Sequence, residues 1–234
     1  MNVFSRIVVG ALVLIYLVLC CALASAQETV FNVPSGDVLD RGKIYGELDL
    51  PYNPGTSGAG FTPRVVAGIG HDIEIGLNIN GIAVPGSLQT TPTPTLKWRP
   101  YNDARRGWAL FVGDDLFIPA QNRTYDIGNY LYLELTKTWK TKTRATVGAY
   151  HFTPGVVATR QGAGGQFAIE QPFGPRITLA ADWYTGNDAL GYAAPGIIVK
   201  INSKLTAYGS YEIGNRGVST GHSQFLFELG WNLN

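Results

Sequence analysis

Cysteine is almost absent from this chain: Cys20 and Cys21 are the only two among its 234 residues. Both fall within residues 1–26, where Arg6 precedes an uncharged apolar stretch and residues 24–26 form the small-x-small motif Ala-Ser-Ala. This organisation predicts a secretory signal peptide that is cleaved after residue 26. The alternative is a retained membrane anchor, because the apolar run is almost long enough to span a bilayer. Cleavage leaves no cysteine for a disulfide, a metal site or a nucleophile.

An excess of charge of either sign is also lacking. The chain has 18 basic and 17 acidic residues, so removal of Arg6 with the signal peptide leaves 17 of each in 208 residues. Binding to nucleic acid depends on a basic surface that neutralises phosphates. We therefore predict that nucleic acid is not a partner.

Long hydrophobic runs and helical periodicity are missing after residue 26. No stretch there is long enough for a transmembrane helix, and no window of about twelve residues has apolar residues at i, i+3, i+4 and i+7. Glycine is abundant, with 29 residues, and together with 13 prolines it punctuates the chain. Alternating segments predict an all-β chain with strands at 42–51, 62–70, 73–80, 93–101, 107–116, 129–139, 142–152, 164–172, 175–184, 193–201, 204–213 and 222–233.

The connections between these strands alternate in length. A long Gly/Pro/Ser-rich loop at 51–61 is followed by the two-residue turn His71-Asp72, and the alternation continues to the final loop at 215–221. In outer-membrane barrels, short turns face the periplasm and longer loops face outside. The segment 42–234 is therefore predicted to be a transmembrane antiparallel up-and-down β-barrel of about twelve strands.

Residues 27–41 precede the predicted barrel and contain Pro34-Ser35-Gly36 in their middle. Such a leader is either a disordered periplasmic tail, which is the commoner case, or a plug segment that folds into the lumen. The sequence favours the tail and leaves the plug as the alternative.

Each predicted strand has one apolar and one polar face. Leu131, Leu133 and Leu135, for example, alternate with Tyr132 and Glu134. A charge on the lipid face costs roughly 2–4 kcal/mol near the bilayer midplane, so the polar face is assigned to the lumen. The candidate lumen-lining residues are Lys43, Glu47, Asp49, Arg64, Glu74, Lys97, Arg99, Glu134, Arg144, Glu170, Asp182, Lys200, Glu212 and Glu228. A soluble secreted β-protein, with its apolar face inward, is the competing interpretation.

Aromatic residues concentrate near the strand ends. Two aromatic belts are expected where a barrel meets the two membrane–water interfaces. We predict that the belts contain, at the periplasmic end, Trp98, Trp108, Trp139 and Trp231 and, at the opposite end, Tyr130, Phe152, Trp183, Tyr184 and Tyr192.

The hairpin rhythm of 42–234 and the alternating strand 225–234, FLFELGWNLN, resemble those of bacterial outer-membrane porin-like barrels. The chain departs from the usual pattern by ending in Asn234 rather than an aromatic residue. The opening segment 35–50 resembles the start of transporters of the phenol meta-pathway type. The resemblance implies an outer-membrane location, contact with the lipid bilayer, recognition by the barrel-assembly machinery, and small solutes as partners.

Enzyme chemistry finds no support in the residues. Outer-membrane phospholipases and lipid A deacylases use a His-x-Ser spacing, whereas His222 and Ser223 are adjacent and point to opposite faces of a strand. We predict no catalytic residues, no metal site and no cofactor. The predicted function is a passive channel or transporter for small solutes, with a mildly acidic lumen. The alternatives are a structural or surface-interaction barrel with a filled lumen and, after it, an outer-membrane hydrolase.

Overall fold

The structure, a computed structural model, describes residues 28–84, 90–121, 125–157, 162–216 and 223–233. The predicted signal peptide and Asn234 lie outside the described residues. No helix within the described ranges is long and apolar enough to cross a membrane. The strands are β1 (Ile44–Asn53), β2 (Gly58–Gly70), β3 (Ile73–Asn80), β4 (Ile82–Val84), β5 (Thr91–Asp103), β6 (Trp108–Phe117), β7 (Gly128–Thr138), β8 (Arg144–Phe152), β9 (Ala163–Phe173), β10 (Ile177–Tyr184), β11 (Tyr192–Lys200), β12 (Leu205–Gly214) and β13 (Gln224–Asn232).

Twelve of these strands form one closed antiparallel wall. Each strand pairs with its neighbour along the chain, and β1 pairs with both β2 and β13, which closes the cylinder. The three-residue β4 pairs only with the outer part of β2. Closure matters because every wall strand then has a partner on both sides, so no unpaired edge is left exposed. The predicted fold class, an all-β barrel of about twelve strands, is confirmed.

The first hairpin is shorter than predicted. The ladder between β1 and β2 continues to Asn53 and Gly58, so the predicted loop at 51–61 is reduced to the four residues 54–57. The side chain of Asn53 accepts hydrogen bonds from the backbone amides of Gly55 (2.9 Å) and Thr56 (3.2 Å). This local Asx turn closes the hairpin. The prediction of a long loop, which was based on the Gly/Pro-rich composition, is therefore wrong.

The predicted two-residue turn between β2 and β3 is present. His71 and Asp72 have φ values of 58° and 57°, the left-handed conformation that a tight two-residue hairpin requires at both central positions. Register shifts at Gly68/Gly70 and at Trp98/Tyr101 bend the wall near this short-turn end.

Apolar side chains cover the outside of the wall. In β7, Leu131 and Leu133 are 47% and 52% exposed, whereas Glu134, adjacent in sequence, is 1% exposed. The same alternation recurs around the cylinder and leaves a continuous apolar exterior with charged side chains inside. A soluble β-protein would have the opposite arrangement, so an apolar belt of this size is accounted for by contact with lipid.

The leader lies inside the cylinder. Val30, Phe31, Val33 and Ser35 are at most 1% exposed, and Leu39 is also buried. Near the barrel entrance the leader crosses Gly68, whose missing side chain makes room: a Cβ there would approach the carbonyl oxygen of Leu39 to 2.3 Å. The contacts therefore favour the plug alternative over the periplasmic tail.

Candidate functional site in the barrel lumen

The structure places twelve of the fourteen predicted lumen residues on the inward faces of wall strands. Nine of them are buried and the three arginines are partly exposed. The two remaining residues differ: Lys43 is exposed and lies just before β1, and Lys200 is half-buried in the last position of β11. The predicted residues are not gathered at one point. Most of them form four groups that contact the leader.

The first group is centred on Arg64 of β2. Its Nε lies 2.6 Å from Asp49 Oδ2 and 3.9 Å from Glu47 Oε1, and its Nη1 lies 3.9 Å from Glu28 of the leader. Glu228 is the register partner of Asp49 on β13, and neither of its carboxylate oxygens has a hydrogen-bond partner among the described residues. One cation thus faces four acidic side chains, which makes this part of the wall strongly acidic.

The second group uses Lys97 of β5. Its Nζ lies 2.7 Å from Glu74 Oε1, and the same carboxylate accepts a hydrogen bond from the backbone amide of Leu39 at 3.0 Å. Lys97 also lies 3.5 Å from the carbonyl oxygens of Glu28 and Ser35. The ion pair therefore holds the leader at both of its ends.

The third group is formed by Arg144 of β8. Its guanidinium binds Glu170 of β9 through two nitrogens and lies 2.8 Å from Asp37 of the leader. Arg99 of β5 donates to the carbonyl oxygen of Gly36 at 3.3 Å. Bidentate and charge-assisted contacts of this kind fix geometry as well as charge. The C-terminal half of the leader is therefore pinned to two arginines.

The middle of the leader is bound by Asp182 of β10. Its Oδ2 accepts the backbone amides of Phe31 (3.0 Å), Asn32 (2.6 Å) and Val33 (2.8 Å). The side-chain amide of Asn32 donates to Glu212 of β12 at 2.7 Å. Three converging amide donors are a strong anchor for a carboxylate in an interior of low dielectric constant.

Part of the lumen wall, on β7, β8 and β10, is lined with aromatic side chains and is called the aromatic wall. Tyr130 stacks on Phe152 with ring centroids 4.4 Å apart, and the hydroxyl groups of Tyr130 and Tyr184 lie 2.6 Å from each other. Tyr184 also donates to the carbonyl oxygen of Asn32 at 3.0 Å. The apolar leader residues, Phe31 among them, pack into this cluster. The leader thus contacts both the acidic groups and the aromatic wall.

The position of these aromatic residues contradicts part of the prediction for the belt at the end opposite the periplasm. Tyr130, Phe152 and Tyr184 are 5%, 2% and 4% exposed and point inward, so they do not face lipid. Their strand parity is the reason: Tyr130 shares a face with Glu134, and Tyr184 shares one with Asp182. Their chemical type had suggested a membrane interface, but alternation along the strand decides which face a residue occupies.

Four of the five predicted interface tryptophans lie at or next to strand ends, and Trp98 lies inside β5. Trp108 begins β6, Trp139 follows β7 and Trp231 is near the end of β13, and Trp98 pairs with Ile73 beside the tight turn. Trp183 is near the end of β10 on the side of the longer loops. Four of the five are 37–47% exposed and Trp231 is partly buried. Contact of these rings with the membrane interface stays a prediction.

The lumen also contains three acidic residues that were not predicted: Glu28 and Asp37 of the leader and Asp115 of β6. The leader residues were missed because nothing local indicates that a segment before the first strand turns into the barrel. Asp115 could have been found, because it is the register partner of the inward-facing Tyr130. Between the leader and the wall, Glu28 and Asp115 border a cavity of about 160 Å³ that also contacts Asn78, Lys97 and Tyr132.

The loop at 185–191 covers the lumen at the end opposite the short turns. Asp188 is fully buried there and accepts hydrogen bonds from the backbone amide of Leu190 (2.9 Å) and from the Tyr150 hydroxyl (3.2 Å). Burial raises the pKa of the Asp188 carboxyl, and these hydrogen bonds oppose the rise. The amide of Ala189 donates to the carbonyl oxygen of Val157 at 3.3 Å, which joins two long loops above the leader.

The residues considered for catalysis are dispersed. His71 lies in the exposed tight turn, His151 is exposed on the outer face of β8, and His222 lies outside the described residues. Across the parts of the chain that the structure describes, no group of three or more His, Cys, Asp or Glu side chains has a geometry that could hold a metal ion.

Comparison with known proteins supports the fold and goes no further. No family model matches the sequence, and no curated protein matches it. Among solved structures, the KdgM porin in complex with disordered oligogalacturonate has a TM-score of 0.59 at 9% identity, covering 81% of this chain and 99% of that one. The NanC porin has a TM-score of 0.58 at 10% identity, with coverages of 81% and 99%. The chain therefore has the fold of outer-membrane porin-like barrels.

An outer membrane phospholipase A from Escherichia coli also matches, with a TM-score of 0.47 and 14% identity over 84% of this chain and 94% of that one. A likeness at this level carries no argument about activity. The KdgM and NanC structures, both porins, have higher TM-scores than this phospholipase.

Proposed function

We propose that the chain is a passive outer-membrane channel for small solutes that is closed, in the conformation described here, by its own leader. The observation that carries the proposal is the closed twelve-strand wall with an apolar exterior and a charged interior. A barrel whose inward face contains this many ionisable groups is suited to a hydrated pathway. Residues 28–41 occupy that pathway.

The size of the barrel is compatible with passage of small solutes after the leader moves. Twelve strands spaced about 4.8 Å apart and tilted by about 40° give a backbone radius of roughly 12 Å. Inward side chains take several ångströms from each side. The leader fills most of what remains, leaving the cavity of about 160 Å³.

The acidic side chains of the barrel wall suggest the charge preference of the open channel. Wall strands contribute eight of the predicted inward carboxylates against the four cations Arg64, Lys97, Arg99 and Arg144. Rings of carboxylates favour cations in channels. We propose that the open channel prefers small cations to small anions.

A second candidate is favoured by the same leader contacts: a structural or surface-interaction barrel whose lumen is permanently filled. The leader would be held in such a lumen by its contacts with Arg64, Lys97, Arg144 and Asp182 and by burial of its apolar residues. The two candidates differ in whether the leader of the intact chain ever leaves the lumen and allows current to pass.

Conductance in planar bilayers tests this difference. The mature chain from Gln27 is compared with a variant lacking residues 28–41, each first shown to be folded by a shift in gel mobility between unboiled and boiled samples. We expect stable discrete current steps from the variant and rare, brief steps from the intact chain. Silence of a correctly folded variant would contradict the channel proposal, whereas a conducting variant beside an intact chain that never opens would favour the permanently filled barrel.

A reversible lock provides a matched control. A Cβ built on Gly36 lies 3.3 Å from Thr136 Cβ, close to the separation of a disulfide-bonded pair. The double substitution Gly36→Cys and Thr136→Cys tethers the leader to β7, and the mature chain has no other cysteine. We expect the oxidised protein to stay closed and a reducing agent to restore the brief openings of the intact chain. Equal conductance before and after reduction would contradict closure by the leader.

A further inference from the structure

Asp182 and Glu212 differ from the other carboxylates that bind the leader. The other carboxylates in contacts between leader and wall form ion pairs with cations. Glu28 and Asp37 of the leader pair with arginines of the wall, and Glu74 of the wall pairs with a lysine. No ion pair in the described ranges includes Asp182 or Glu212. Their donors come from neutral groups: backbone amides for Asp182, and the side-chain amides of Asn32 and Gln224 for Glu212.

The donors on Asp182 have a specific geometry. Three consecutive amide N–H groups, from residues 31, 32 and 33, converge on the single atom Oδ2. A primary ammonium group can also donate N–H hydrogen bonds to carboxylate oxygens, and in addition it carries a full positive charge. The leader therefore supplies N–H donors to this carboxylate without supplying a compensating charge.

A buried atom at this position is still unsatisfied. Asp182 is 3% exposed, yet its Oδ1 has no hydrogen-bond partner among the described residues. A buried carboxylate with only neutral donors keeps an uncompensated charge, and a hydrogen-bonded cation would compensate that charge. Asn32 contacts Asp182 through its backbone amide and Glu212 through its side-chain amide, so both carboxylates border the space that this residue occupies.

We propose that Asp182 and Glu212 form a binding site for the primary ammonium group of a solute, which takes the place of leader residues 31–33. The leader is then an internal substitute for that ligand, and a solute with this head group opens the pathway by displacing it. This inference rests on the proposed channel function and adds the class of solute that the lumen recognises.

The test uses n-butylammonium as the probe and tetramethylammonium as its control, since the latter has the same charge and no N–H donor. The first measurement is current block in the variant lacking residues 28–41. We expect n-butylammonium to block with a half-blocking concentration at least about tenfold lower than that of tetramethylammonium. Asp182→Asn should raise the n-butylammonium value about tenfold. Glu228→Gln, which removes another buried lumen carboxylate, should change it less than about twofold.

The second measurement does not depend on conduction. Ser35→Cys places one thiol at a fully buried leader position in the otherwise cysteine-free mature chain. We expect n-butylammonium to accelerate labelling of this thiol by a small maleimide, and tetramethylammonium to leave the rate unchanged. Glu212→Gln should reduce the acceleration and serves as the second variant should Asp182→Asn fail to fold in the gel-mobility assay.

The outcomes separate the two proposals. If the leader-deleted variant is silent but n-butylammonium still accelerates labelling, the channel proposal fails and the ammonium site stands. If the variant conducts but both cations block equally, or if Glu228→Gln weakens block as much as Asp182→Asn, the site is overturned and the channel remains. Labelling rates that both cations raise equally would likewise overturn the site.

Discussion

Truncation of Phe31 tests whether packing against the aromatic wall holds the leader in the lumen. Phe31 is 1% exposed and belongs to the same apolar cluster as Tyr130 and Phe152. Replacing a fully buried phenylalanine by alanine typically costs about 3–5 kcal/mol. The wall strands keep their own pairing, so we expect this cost to fall on docking of the leader. It corresponds to roughly a 150- to 5,000-fold increase in the undocked-to-docked ratio.

Maleimide labelling of the Ser35→Cys thiol measures that ratio, because the rate follows the undocked population when opening and closing are fast. Phe31→Ala should therefore raise the labelling rate by at least about two orders of magnitude. Phe173→Ala is the control, since Phe173 is 58% exposed on the outer face and should leave the rate unchanged. An unchanged rate for Phe31→Ala in a folded barrel would refute the argument that apolar packing retains the leader.

Three further predictions concern the wall and its loops. Leu133→Arg, in the middle of the apolar exterior, should lower the free energy of unfolding in lipid by about 2–4 kcal/mol, whereas Leu233→Arg at a strand end should cost at most about 1 kcal/mol; equal losses in urea titrations would argue against a membrane belt. Arg64→Met leaves its buried acidic partners without their cation and should destabilise the barrel by about 3–5 kcal/mol, and an unchanged urea midpoint would contradict the ion-pair assignment. Protease protection of the loop at 185–191 should be greatest at acidic pH and fall as pH rises through the raised pKa of Asp188, because the folded loop binds the proton more tightly than the unfolded chain. Asp188→Asn should abolish this pH dependence. If the dependence persists in that variant, another group causes it.

The wall of the barrel was predictable because strand alternation is a local property. Side chains i and i+2 share a face wherever the backbone is extended. Leu131, Leu133 and Glu134 therefore took their sides as predicted, and twelve strands followed from repetition of the pattern. The same rule would have placed Tyr130 and Tyr184 inside, had parity been given more weight than the usual preference of tyrosine for membrane interfaces.

The first hairpin shows where composition is a weaker guide than pairing. The segment from Pro51 to Phe61 is rich in glycine, proline and serine, which favours a loop. In the structure, β1 and β2 continue their ladder through most of it, because the Asn53 side chain organises a turn of only four residues. Strand pairing between neighbours adds hydrogen bonds that composition does not register.

The sequence by itself determined the all-β class, the approximate strand number and the alternation of apolar and charged faces along the wall strands. It left the leader open between tail and plug, since both alternatives satisfy the same local pattern. Only the tertiary structure decided that residues 31–33 lie against Asp182, which is about 150 residues distant along the chain. The physical reason is that the carboxylates of the wall become buried, and therefore require hydrogen-bond donors, only when β1 pairs with β13 and closes the barrel.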